Sequence, residues 1–307
     1  MSVRAPGKAL ALHLGVLGLL FLLQFVLPAY HHTNVARILV LAAYALGYNV
    51  LLGYTGLMSL GHAMFFAAGM YGAGLPVYYL GYAGALAMAL GILAGLALGL
   101  LFGLLALRTT GVSFLIVSLM VAQALYLASL HFNEITLGDQ GFIVSLGLSE
   151  SAKYNAALAL FAAALLGCLA LRLSPIGRVL VGIRENEERT RLLGYNSFRY
   201  RLLSLVVSGG LAAAAGAAYT LLFSYAGSTF ASILFSIYPL LWTLLGGVGT
   251  LLGPLVGTGL MFYLVDYASS LTSAYLLLVG LALVVLVIWF PQGILGTVRM
   301  RWLPWLP

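Results

Sequence analysis

Few side chains in this sequence could do chemistry, and most of those stand alone. His62 and Asp266 are ionisable residues inside otherwise apolar stretches, and His31 and His32 follow the first apolar run. A histidine placed like His62 could relay a proton or line a pathway. Equally, a neutral imidazole there could hydrogen-bond a backbone carbonyl freed by the neighbouring glycines. Asp266, the only acidic residue after Glu188, reads as an interfacial, solvated carboxylate. His31 and His32 are too few to hold a metal, which needs more ligands than their short segment offers. The phosphate-binding pattern G-x-x-x-x-G-K-[ST] does not occur, nor does H-E-x-x-H or G-x-S-x-G. Acid–base, metal-assisted or covalent catalysis therefore has no residue set to carry it, and no cofactor is implied.

The elements that must hold these residues are membrane spans. Of 307 residues, 63% are hydrophobic and 7% charged, with a mean hydropathy of +1.09. A soluble domain carries about 25% charged residues, so a water-soluble globule and a nucleic-acid-binding protein are both excluded. One cysteine, Cys168, excludes an internal disulfide framework. No charge occurs in 9–36, 38–107, 109–133, 154–171, 202–265 or 267–298. A spanning helix takes roughly 20 apolar residues, so the longest of these gaps must fold back more than once.

Glycine and proline punctuation divides the gaps into spans at about 9–29, 35–53, 57–80, 83–107, 110–130, 154–172, 203–224, 232–250, 254–270 and 273–290. The expected fold is thus all-α and polytopic, a single transmembrane domain of about ten helices over 1–307. With ten spans, Arg4 and Lys8, Arg108, the 172–201 segment, and Arg299 and Arg301 fall on one side, as the positive-inside rule requires. Both termini are then cytoplasmic. Arg37, near the outer end of span two, is the exception, and a long basic side chain there can snorkel. The first apolar run is longer than a typical signal-peptide core and reads as a retained span.

Glycines mark where plain helix gives way. Gly91, Gly95, Gly99 and Gly103 recur every four residues and would line one helix face for close packing. Residues 53–74 interleave Gly53, Gly56, Gly61, Gly69, Gly72 and Gly74 with Thr55, Ser59 and His62, just after Asn49. Residues 246–259 echo them with Gly246, Gly247, Gly249, Gly253, Gly257, Gly259 and Pro254. Irregular backbone at membrane depth survives only where protein or a watery cavity satisfies it. These segments read either as broken or re-entrant helices near a pathway or as packing glycines. On the first reading Asn49, Ser59, Gly61, His62, Gly246, Gly247 and Gly249 are candidate pathway residues.

Ten of the 21 charged residues lie in 172–201, on the cytoplasmic side. Glu185–Arg189 and Glu187–Arg191 are acid-before-base pairs at i, i+4, and Gly194 supplies a helix stop. A short charged helix joined to two spans is suited to contact a soluble partner.

The segment IRENEERTRLLGYNSFRYRLL resembles the cytoplasmic loop of branched-chain amino acid ABC transporter permeases. GYTGLMSLGHAMFFAAGMYGAG at 53–74, LLGGVGTLLGPLVGTGL at 244–260 and WFPQGILG at 289–296 support the resemblance, in order, over almost the whole chain. Glu188 and Gly194 match the wider importer pattern E-A-A, three residues, G, with Arg189 and Thr190 in place of the alanines. The resemblance, closer to the M-type permease than the H-type, implies that Arg184, Glu185, Asn186, Glu187, Glu188, Arg189 and the residues up to Gly194 form a coupling helix. That helix, within the loop at about 173–202, would dock in a groove of an ATPase subunit. The resemblance also implies two ATPase subunits, a second permease, an external solute-binding protein and a bacterial inner-membrane location. Related urea and short-chain amide importers share these motifs. An ion-coupled secondary transporter is the other reading, and His62 would be its only proton site.

Overall fold

The computed structural model describes residues 6–302. Its long helices are α1 (Pro6–Leu23), α2 (Ala29–Asn49), α3 (Ala63–Leu80), α4 (Gly84–Ala106) and α5 (Val112–His131). A single turn, α6 (Asn133–Thr136), and a strand, β1 (Phe142–Ile143), precede α7 (Glu150–Leu173). The charged segment folds as α8 (Pro175–Glu185) and α9 (Glu187–Leu192), and α10 (Ser197–Phe223) follows. After strand β2 (Tyr225–Ala226) come α11 (Ile233–Gly246), α12 (Gly253–Leu271), α13 (Tyr275–Trp289) and α14 (Ile294–Arg301).

The protein is all-α and polytopic, as expected. Seven helices are long and apolar enough to cross a membrane by length and composition. Each of the ten expected spans overlaps one helix, but α1, α11 and α12 are not among the seven, and the seventh runs from α13 through α14 (Tyr275–Arg301). The expected third span begins as helix only at Ala63, because the glycine-rich stretch before it is irregular. The expected eighth ends at Gly246 rather than 250, where Gly247 takes a positive φ of 118°. Helix α12 carries Asp266 and two serines in its last turns.

The centre is built on α2 and α10, both largely buried. The four-residue glycine repeat of α4 faces α10, as its spacing predicts. A Cβ at Gly91 would lie 2.8 Å from Ala217 Cβ, one at Gly95 would overlap Ala213, and one at Gly103 would lie 2.5 Å from Leu202. Partners on α10 descend as positions on α4 rise, so the helices are antiparallel. Such close approach lets dispersion replace the hydrophobic drive that lipid does not supply. The opposite side of α4 exposes Leu93, Leu101 and Leu105, suited to acyl chains.

Pairings between loops sort them onto two ends of the bundle. At one end Tyr154 donates to Leu20 O at 2.6 Å, Thr33 donates to Glu150 at 2.9 Å, and the one Tyr30 hydroxyl proton is shared between the two oxygens of Asp266, 2.9 and 2.8 Å away. The antiparallel β1–β2 pairing belongs to the same end. Asp266 is thus hydrogen-bonded, not simply solvated. His31 Nδ1 lies 3.2 Å from Tyr263 Oη, and the His32 ring lies 4.6 Å from that of Tyr154, tilted by 36°. Among the described residues no group of three His, Cys, Asp or Glu could hold a metal. The other end collects the glycine-rich segments and the charged loop.

Candidate functional site

At that second end the ladder of α2 loosens into a π-helical turn, Val50–Tyr54, followed by irregular chain over 56–62. Gly56 has φ 71°, which turns the backbone there. A loop so deep in an apolar bundle must have its polar groups satisfied by protein, and hydroxyls from four helices do this. Ser208 donates to Gly47 O at 2.6 Å, Ser204 to Val50 O at 3.3 Å and Thr243 to Ala45 O at 3.3 Å. Ser118 and Ser236 accept from Leu60 N and Ala63 N, both at 3.0 Å, and Tyr48 donates to Ser59 O at 3.0 Å.

The second glycine-rich segment is irregular over 247–252 and meets the first face to face. Asn49 bridges them with both ends of its amide: Nδ2 donates to Thr250 O and Oδ1 accepts from Gly249 N, each at 2.8 Å. A Cβ on Gly53 would stand 2.9 Å from Gly249 Cα, so the backbones touch with no room for a side chain. The 289–296 segment closes on the same point, since a Cβ on Gly247 would stand 2.6 Å from Gly296 N. Arg184, in the last turn of α8, inserts its guanidinium here and donates from Nη1 to Gly53 O at 2.5 Å. Four stretches far apart in sequence thus converge on one node.

Among the expected pathway residues, Asn49, Gly246, Gly247 and Gly249 sit in this node, while Ser59, Gly61 and His62 lie on the adjoining loop. Gly61 packs against the Ser118 carbonyl. His62 is fully buried among the rings of Tyr44, Tyr48 and Phe65. Its Nε2 lies 3.3 Å from Ser208 Oγ, whose single proton already goes to Gly47 O. Nε2–H is therefore the donor. The expected carbonyl partner is replaced by a hydroxyl, and no carboxylate or second histidine is among the ring's contacts.

The charged loop departs from a single helix over 184–194. Asn186, at φ −159° and ψ 104°, ends α8 and caps α9 by accepting from Arg189 N at 2.8 Å. Ser174 and Asn196 cap α8 and α10 in the same way. The break separates Glu185 from Arg189, and among the described residues these two form no ion pair. Glu187 does meet Arg191, at 2.6 Å, and it also pairs with Arg201 of α10, which ties α9 to the following long helix. Gly194, at φ 87°, turns the chain as expected. What α9 leaves outward is Glu188 and Arg189 beside Leu192 and Leu193, which are 89% and 71% exposed.

Sequence reasoning missed the inward role of Arg184 and the hydroxyls of Ser118, Ser204, Ser208, Ser236 and Thr243. Isolated hydroxyls in long apolar runs were the available signal.

Residues 33–288 match the family described as branched-chain amino acid transport system, permease component. The chain belongs to that family. Over 293 aligned residues it is 26% identical to the high-affinity branched-chain amino acid transport system permease protein LivM of Escherichia coli K12, covering 83% of this chain and 67% of that one. LivM of Salmonella typhimurium aligns with the same identity and coverage. The ribose import permease protein RbsC of Haemophilus influenzae is 31% identical over 137 residues, 42% of each chain. No solved structure matches. As a permease component, the chain is a multi-pass membrane protein, and the node joins the segments whose motifs carried the resemblance.

Proposed function

We propose that the chain is the M-type permease subunit of an ATP-driven importer in a bacterial inner membrane, with a branched-chain amino acid as solute. Two ATPase subunits, a second permease and an external solute-binding protein complete the machine. The carrying observation is the double engagement of one loop. α9 offers Glu188, Arg189, Leu192 and Leu193 outward, while Arg184 of the adjoining α8 grips Gly53 O where the two broken segments meet. A push on α9 is thereby delivered to the backbone of both segments. The Glu187–Arg201 pair passes it in parallel to α10.

The pairings that sort the loops onto two ends support a ten-span topology with both termini cytoplasmic. The aromatic cage around His62, whose one hydrogen bond is to the Ser208 hydroxyl, favours a packing role over proton relay, and so an ATP-driven machine over an ion-coupled one. The relatives' names support a branched-chain amino acid. Urea, short-chain amides or, through the ribose permease, a sugar remain the solutes to compete against it.

The test uses the assembled transporter in proteoliposomes. Glu188→Lys with Leu192→Ser is expected to cut solute-stimulated ATP hydrolysis by about tenfold, as loss of an exposed docking contact does, with expression unchanged. Unchanged stimulation would overturn the docking role. Glu187 is left intact because its reversal would also break the ties to Arg191 and Arg201.

A further inference from the structure

Three arginines approach the node from three elements, each in the last turn of its helix: Arg172 on α7, Arg184 on α8 and Arg299 on α14. The Arg172 guanidinium lies over the Tyr54 ring, 5.3 Å from its centroid, and Arg184 holds the adjacent carbonyl of Gly53. Arg299 stands one turn beyond Gly296, which packs on Gly247. Gly249, two residues on from Gly247, lies against Arg184. Among the described residues none of the three forms an ion pair with a carboxylate. Helix C-termini offset one positive charge each by a fraction of a unit, which leaves an excess concentrated around one buried turn.

The apolar residues beside these arginines indicate what neutralises them. Leu173 follows Arg172 and is exposed, as are Met300 and Trp302 beyond Arg299 and Trp289 at the end of α13. An indole and aliphatic surface next to guanidinium groups, at the end of a membrane helix, matches the boundary between acyl chains and headgroups. A free anion would have no use for it. We infer that Arg172, Arg184 and Arg299 form a binding site for the phosphate of an acidic phospholipid of the cytoplasmic leaflet, set against the node that joins the two broken segments. A lipid seated there steadies Arg184 on Gly53 O, so the leaflet's charge tunes how firmly the loop grips the path. The site does not depend on which solute the chain carries.

The full-length chain is reconstituted in nanodiscs of phosphatidylcholine with a minor fraction of phosphatidylglycerol, and lipids retained on release are weighed by native mass spectrometry. The wild type is expected to retain phosphatidylglycerol selectively. Arg172→Gln with Arg299→Gln should lose about tenfold or more of that selectivity, each basic residue near an acidic leaflet contributing roughly a fivefold preference. Arg172→Lys with Arg299→Lys should restore most of it, which separates lost charge from lost fold. Equal retention by wild type and the glutamine variant would overturn the proposal. So would displacement of the bound phosphatidylglycerol by millimolar inorganic phosphate, which would point to a free anion. Selective retention that vanishes on adding the ATPase subunits would also overturn it, by showing that a partner carboxylate is the true occupant. None of these outcomes bears on whether the chain imports an amino acid.

Discussion

Asn49 carries more of the architecture than its size suggests. Its carboxamide makes two hydrogen bonds of 2.8 Å to the facing loop, replacing the backbone partners that two irregular segments lack. Truncating it leaves a buried N–H and a buried carbonyl unpaired, at about 1–3 kcal/mol for each group stranded. Asn49→Ala is therefore expected to lower the thermal midpoint in detergent by several degrees and to cut uptake, whereas Asn49→Asp should keep only the bond from Gly249 N. Gly53→Ala should be at least as harmful, since its methyl would overlap the Asn49 amide oxygen and meet the Gly249 backbone at 2.9 Å. That plain helix gives way around both positions was legible from the glycine and amide content of 49–74. Arg184 was not, because a basic residue within a charged loop looks like its solvated neighbours. Its inward turn follows from its place in the last turn of α8, whose apolar face packs Leu180 and Ile183 into the protein.

At the scale of elements, periodicity was the reliable guide and continuity the unreliable one. The four-residue glycine spacing of α4 marked a face for close packing, and α10, antiparallel to it and rich in alanine and glycine, meets that face. Gly95→Leu is expected to force the two apart, with a destabilisation of about 1–3 kcal/mol or failure to assemble, whereas Gly167→Leu on α7, with open space around it, should be tolerated. Comparing their yields of monodisperse protein checks this. The charged loop shows the opposite lesson. Acid-before-base spacing over 185–191 reads as one helix, but Asn186 followed by two glutamates is also a helix start, and the cap prevailed. On the proposed function the split has a use: α9, with its exposed apolar tip, receives a push and α8, turned inward to the node, transmits it.

For the whole molecule, the charge pattern assigns the loops alternately to two ends, and the loop pairings group them in the same way. Residues far apart in sequence, such as Tyr30 with Asp266 and Asn49 with Thr250, are paired at opposite ends of the bundle. With Cys168 replaced by alanine, Glu134→Cys is expected to react with a membrane-impermeant maleimide in intact right-side-out vesicles, and Arg199→Cys only after they are permeabilised. Labelling of both from one face would break the ten-span account. The exact helix lengths were beyond the sequence because short and broken helices depend on hydroxyls supplied by other helices. The most direct test of the central claim is the number of solute molecules imported per ATP by the assembled transporter carrying Arg184→Gln. If the grip of Arg184 on Gly53 O conveys the push, that variant hydrolyses ATP at or above the basal rate while uptake falls by about tenfold or more, the loss of a charge-assisted hydrogen bond at a coupling point. Uptake and coupling ratio equal to the wild type would contradict the account.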